Sequence, residues 1–162
     1  MKEEFLCHYL HGGGFFSIYR RNKSGYKLAD IKKEENRDFV ETFAQSALKV
    51  LRAIVNIGNT SDMCIITTPR RRHGEGYHFA TEVCKRLSDL SGIHFEPDVM
   101  TCKNHKRIDP VFYVQKEPPQ GTYILYDDII TTGSTIIAAR ELYPKKSIIT
   151  IASVCNRGAT VE

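Results

Sequence analysis

Apolar residues recur at helical spacing across Asp38 to Val55, where Phe39, Phe43, Ala47, Val50, Leu51 and Ile54 share one face. Asp38 stands where it can cap that helix, and Gly58 and Asn59 close it. The pattern returns over Gly76 to Leu90, with Phe79, Val83, Leu87 and Leu90 facing inward and Gly92 as the stop, and again over Ser134 to Tyr143 before Pro144. Between these helices lie short apolar runs of strand length: Met63 to Thr68 ending at Pro69, a segment near Asp98 to Thr101, Val111 to Val114, Tyr123 to Tyr126, and Ser147 to Val154. Alternating strands and helices predict an α/β protein in three layers, with a mainly parallel sheet and right-handed crossovers.

The first part of the chain breaks this rhythm. The aromatic fragments FLCHYL, FFSIYR and GYKLADI are separated by Gly12 to Gly14 and by Asn22 to Gly25, which predicts a β-hairpin or small β-rich cap over residues 1–33. Residues 34–162 then form the α/β core of a single domain. The run His11 to Gly14 lacks the strand-then-helix context of a phosphate loop and reads as a turn.

Composition narrows the class without naming a chemistry. With 26% charged and 41% hydrophobic residues in 162, the chain has the balance of a globular domain able to bury a core. No apolar run approaches 18 residues and Met1 to Leu10 carries charges where a signal peptide would be apolar, so a cytoplasmic protein with no membrane partner is expected. The five cysteines are odd in number and contain no C-x-x-C pair. Cys64, Cys84 and Cys155 fall within apolar segments and read as core residues, while Cys102 with His105 is half a zinc site with no matching half.

The candidate chemistry sits in Tyr123 to Ile137, YILYDDIITTGSTII. An apolar strand ends in two adjacent acids, Asp127 and Asp128. Thr131, Thr132, Gly133, Ser134 and Thr135 follow at a strand-to-helix turn, where unpaired backbone N–H groups and the positive helix end favour a phosphate. A nucleotide P-loop is excluded, because no lysine precedes Ser134. The net charge of +4 is concentrated in two clusters, Arg70 to Arg72 and Lys103, Lys106 and Arg107, near predicted strand ends. A nucleic-acid surface would suit them, but a substrate bearing a phosphate and a pyrophosphate explains them with fewer assumptions.

The segment from Tyr123 to Thr135 resembles the motif by which type I phosphoribosyltransferases bind phosphoribosyl pyrophosphate (PRPP). The resemblance implies that Asp127 and Asp128 hold the ribose hydroxyls and that Thr131 to Thr135 hold the 5′-phosphate. It implies that the loop Arg70, Arg71, Arg72, His73 and Gly74 receives pyrophosphate, and that the basic loop Lys103 to Asp109 closes over it with Lys106 or Arg107 on the departing group. The stretch from Thr67 through Ala80 is also similar to the ComF-like branch, lengthened and altered, without that branch's N-terminal zinc cysteines. A magnesium ion is expected with PRPP, touching Asp127 and Asp128 mostly through substrate and water. The implied reaction is displacement of pyrophosphate from ribose C1′ by a nitrogen acceptor such as a nucleobase. Tyr9, Phe15, Phe16, Tyr19 and Asn156 with Arg157 are candidates to meet the acceptor, the aromatic ones being equally suited to the core of the cap. The resemblance also implies a homodimer. A second reading keeps the same pocket in a non-catalytic PRPP- or nucleotide-binding regulatory module acting on nucleic acid or a partner protein.

Overall fold

The structure, a computed structural model, describes residues 3–10, 13–20, 28–34, 37–56, 60–70, 76–103, 109–119 and 121–156. In chain order the elements are β1 (Leu6–Leu10), β2 (Gly13–Arg20), α1 (Leu28–Ile31), α2 (Asp38–Ile54), β3 (Met63–Thr67), α3 (Phe79–Ser91), β4 (His94–Phe95), β5 (Met100–Cys102), β6 (Phe112–Val114), β7 (Thr122–Ile130), α4 (Ser134–Glu141) and β8 (Ile148–Cys155).

Six strands form one sheet in the order β1-β2-β8-β7-β3-β4. Every neighbouring pair is parallel except the β1–β2 hairpin. The helices α2 and α3 cover one face, burying Phe43, Ala47, Leu51, Phe79, Val83 and Leu87 against Ile65, Ile124 and Ile151. Each large side chain buried there contributes about 1.5–3 kcal/mol. The other face is covered by α4 and by a separate two-stranded ribbon, β5 with β6, whose Met100, Cys102 and Phe112 pack with Ile136, Ala139 and Leu125. This is the expected three-layer α/β arrangement.

Several elements depart from the sequence reading. The N-terminal hairpin is present, and it is continuous with the core: β2 lies parallel to β8, from Phe16 against Ile151 onward, so the hairpin extends the main sheet at one edge. The Arg140 guanidinium ties the start of β2 to β8, donating to the Gly13 and Gly14 carbonyls and to Thr150 Oγ1. The strand near Asp98 is Met100–Cys102, and it joins the ribbon with β6. The opposite sheet edge is instead His94–Phe95, too short for any periodicity to reveal. Helix α3 begins at Phe79, because His78 is extended at φ −129° and ψ 108°. At the start of α2, Arg37 occupies the cap position with no side-chain cap hydrogen bond, and Asp38 lies inside the first turn, where its charge suits the positive helix end. Cys64, Cys84 and Cys155 are core residues as expected, and Cys102 is buried with them.

Candidate functional site

The chain leaves β3 through α3 toward β4 and leaves β7 through α4 toward β8, in opposite directions along the sheet. The carboxyl ends of β3 and β7 therefore flank a topological switch point, where open α/β sheets form their ligand crevice. Their register, Ile66 against Leu125 and Thr67 against Tyr126, brings Thr68 level with Asp127.

Asp127 and Asp128 lie inside β7, which runs on to Ile130, because pairing with β8 continues through Ile129 with Val154 and Ile130 with Cys155. The ladder with β8 overrides the poor strand propensity of aspartate. Strict alternation slips at this point. Tyr126 and Ile129 pack on the same face although three apart, as do Ile151 and Val154 of the neighbouring strand. The acids thus fall between the apolar positions of the strand.

Both carboxylates are buried, with relative exposures of 7% and 9%. A buried charge is costly unless it is paired and hydrogen-bonded. Asp127 Oδ1 accepts from Thr68 Oγ1 at 3.1 Å and from the Asp128 backbone N–H at 3.0 Å. Asp128 Oδ2 is engaged by the Lys32 ammonium, which reaches across from the segment after α1. Beneath them, Thr67 Oγ1 donates to the Tyr126 carbonyl at 3.1 Å, and the buried Tyr126 hydroxyl pairs with Ser153 Oγ. That burial pushes the Tyr126 phenol well above its usual range.

The turn from Thr131 to Thr135 opens α4 beside these acids. Thr131 and Thr132 are exposed, Gly133 and Thr135 are buried, and Ser134 is half-buried. Thr132 Oγ1 lies 3.0 Å from Ser134 Oγ and accepts from the Ser134 N–H at 3.4 Å. The first helical bond runs from the Ile137 N–H to the Gly133 carbonyl, which leaves the preceding N–H groups at the helix end, where an anion is favoured. Gly133 adopts φ +84°, and a Cβ there would stand 2.8 Å from both Leu10 methyls. Glycine is needed to let the N-terminal hairpin close against the turn.

Of the implied pyrophosphate residues, Arg70 is described: its Nη1 donates to the Gly76 carbonyl at 2.6 Å and closes the base of the loop. Arg71, Arg72, His73 and Gly74, which also carry the ComF-like similarity, lie outside the described residues. So do His105, Lys106, Arg107, Arg157, His11 and Gly58. Lys103 sits 5.4 Å above the Tyr113 ring. The aromatic acceptor candidates separate. Phe15 and Tyr19 are core residues, Phe15 stacked 4.7 Å from His8 and the Tyr19 hydroxyl 2.8 Å from Ser46 Oγ. Phe16 packs partly buried against the core layer beneath α2 and α3, and Tyr9 is 80% exposed. The Asn156 N–H donates to the Ile130 carbonyl beside the acids.

Three residues that sequence reasoning did not select join the site: Thr68, Lys32 and His78. His78 precedes α3 with Nδ1 2.8 Å from Thr81 Oγ1. Burial lowers its pKa from the ordinary 6.5; the Asp128 charge opposes this, Arg70 and Lys32 add to it, and Asp98 opposes it. Thr68 was legible as the residue after a strand end, and His78 lies in the Thr67-to-Ala80 stretch, whereas Lys32 comes from a distant segment and carried no local signal.

Among the described residues no group of three or more His, Cys, Asp or Glu could hold a metal ion. The two carboxylates and their hydroxyl neighbours are hard oxygen donors of the kind magnesium accepts. No helix among the described residues is long and apolar enough to cross a membrane.

Neither a protein-family model nor a curated protein sequence matches the chain. Solved structures do. A hypoxanthine phosphoribosyltransferase from Staphylococcus aureus superposes over 85% of this chain and 78% of its own, with a TM-score of 0.50 at 11% identity. A purine phosphoribosyltransferase from Pyrococcus horikoshii covers 76% of this chain and 92% of its own (TM-score 0.47, 15% identity). An adenine phosphoribosyltransferase from Saccharomyces cerevisiae covers 79% and 73% (TM-score 0.46, 18% identity). The chain has the type I phosphoribosyltransferase fold.

Proposed function

We propose that the protein is a PRPP-dependent phosphoribosyltransferase, transferring the phosphoribosyl group to a nitrogen of a nucleobase-like acceptor with loss of pyrophosphate. One observation carries this reading: two buried acids and a hydroxyl-rich helix start meet at the switch point of this fold, with Thr68 bonded to Asp127. Asp127 and Asp128 accept hydrogen bonds from the ribose 2′- and 3′-hydroxyls. Thr131, Thr132, Ser134 and Thr135, with the N–H groups that follow Gly133, receive the 5′-phosphate. The Arg70 to Gly74 loop takes the pyrophosphate, and Lys106 or Arg107 closes over it. As the C1′ bond lengthens, C1′ becomes electron-poor and charge grows on the departing pyrophosphate, so preorganised cations at that end lower the barrier. Magnesium, when bound, neutralises pyrophosphate oxygens and would contact Asp127 and Asp128 largely through substrate and water. Neighbours in fold are named for hypoxanthine, purine and adenine transfer, which supports a planar nitrogen heterocycle as acceptor. A homodimer accompanies this reading.

Asp127→Asn and Asp128→Asn preserve shape and remove charge. Both are expected to abolish PRPP binding in titration calorimetry while leaving the circular dichroism spectrum unchanged; retained PRPP affinity in either refutes the donor assignment. Incubation of the wild type with PRPP, magnesium and a nucleobase panel, followed by mass spectrometry, should give a phosphoribosylated product. PRPP binding without product for any acceptor would point instead to a regulatory PRPP-binding module.

A further inference from the structure

The Lys32 ammonium reaches a site carboxylate from a segment far upstream in the chain. Asp128 is a buried carboxylate whose side chain is only 13% exposed, and its Oδ2 is occupied by a lysine from outside the α/β core. The lysine backbone is held in place, because the preceding Ile31 is 1% exposed and packed into the core under α2 and α3. Its side chain is not enclosed, being 40% exposed. A cation on a long flexible stem, anchored at one end and open to solvent along its length, can change partner without moving the backbone.

We propose that Lys32 is an exchangeable counter-ion of the donor site: it neutralises Asp128 when the pocket is empty and passes to the ligand's pyrophosphate when ribose hydroxyls take over the carboxylate. This rests on the assignment of Asp128 to ribose. The exchange keeps every group satisfied. Two ribose hydroxyls donate to the carboxylates in place of the ammonium, so Asp128 stays hydrogen-bonded. The released ammonium keeps its charge and stands next to an anionic ligand instead of in water. Lys32, Asp128, Arg70 and Asp98 all act electrostatically on His78, and Arg70 donates to the Gly76 carbonyl. A ligand with ribose and 5′-phosphate alone must evict Lys32 without offering it a pyrophosphate, whereas PRPP offers one.

The two ligands therefore respond oppositely to loss of the charge. Lys32→Gln keeps a donor for Asp128 Oδ2 and should fold; Lys32→Met is the companion without a donor. Calorimetric titration of wild type and Lys32→Gln with ribose 5-phosphate and with PRPP and magnesium is expected to show tighter ribose 5-phosphate binding and weaker PRPP binding in the variant. Each change should be roughly tenfold, the difference between a charge-assisted and a neutral hydrogen bond. Lys32→Met should also lower the melting temperature, and Asp128→Asn in the same chain should recover it. Shifts of the same sign for both ligands, or no shift, overturn the exchange while leaving the donor reading intact. A wild type that binds neither ligand overturns both.

Discussion

Replacing Gly133 by alanine tests how the N-terminal hairpin and the turn that opens α4 are built together. Two costs are visible. An L-residue at φ +84° occupies the left-handed region, for about 1–2 kcal/mol. The new Cβ would also lie 2.8 Å from Leu10 Cδ1 and Cδ2, and Leu10 is 3% exposed in a packed layer, so it must shift off its favoured position at a further 1–3 kcal/mol or so. The total is roughly 2–5 kcal/mol, and for a chain of this size each kcal/mol moves the melting temperature by about 2–4 °C. Leu10→Ala alone should cost about 2–5 kcal/mol as a large-to-small core change. In the double variant the colliding methyls are gone while the backbone strain remains. The double should therefore be about 1–3 kcal/mol more stable than the sum of the singles, read from urea unfolding followed by circular dichroism with unchanged slopes. Additivity within about 0.5 kcal/mol would refute the contact and with it the argument that glycine serves the hairpin at this turn.

Gly121→Ala should be more severe and not relieved by any side-chain change, because its Cβ would fall 2.1 Å from the Asp62 carbonyl oxygen at φ +132°; expression with loss of the cooperative thermal transition is the expected result. Tyr126→Phe strands the buried Ser153 hydroxyl and should cost about 1–3 kcal/mol in chemical denaturation, with Ser153→Ala in the same chain recovering most of it. The folded state holds the His78 pKa below 6.5, so the unfolded chain binds more protons as the solution is acidified. The stability His78 contributes is present above pH 6.5 and is lost as pH falls through its lowered folded value; His78→Asn should flatten that part of the stability profile, and an unchanged profile would refute it.

The run proposed here as the donor site was legible because it is local. An apolar strand, two acids and a hydroxyl-rich helix start are consecutive, and each step of that run has its own signal in period, charge or turn chemistry. The ends of elements were less legible. β7 extends through both acids because β8 supplies hydrogen bonds there, and β4 exists only because two residues find β3 beside them. The aromatic hairpin residues offered as acceptor contacts show the same limit, since alternation cannot say whether Phe15 faces a ligand or Leu10 and Ile136.

What the sequence by itself determined was the alternation of strands and helices, and the residues of the PRPP-like motif in their order. Both depend on spacings of a few residues, where backbone geometry translates directly into side-chain direction. Only the tertiary structure decided that Thr68 holds Asp127, that Lys32 holds Asp128, that His78 shares their field, and that Gly133 is glycine for the sake of Leu10. Those choices join segments far apart in the chain. They are set by which strands lie side by side and by the cost of leaving a buried charge without a partner, and neither is written in any local pattern.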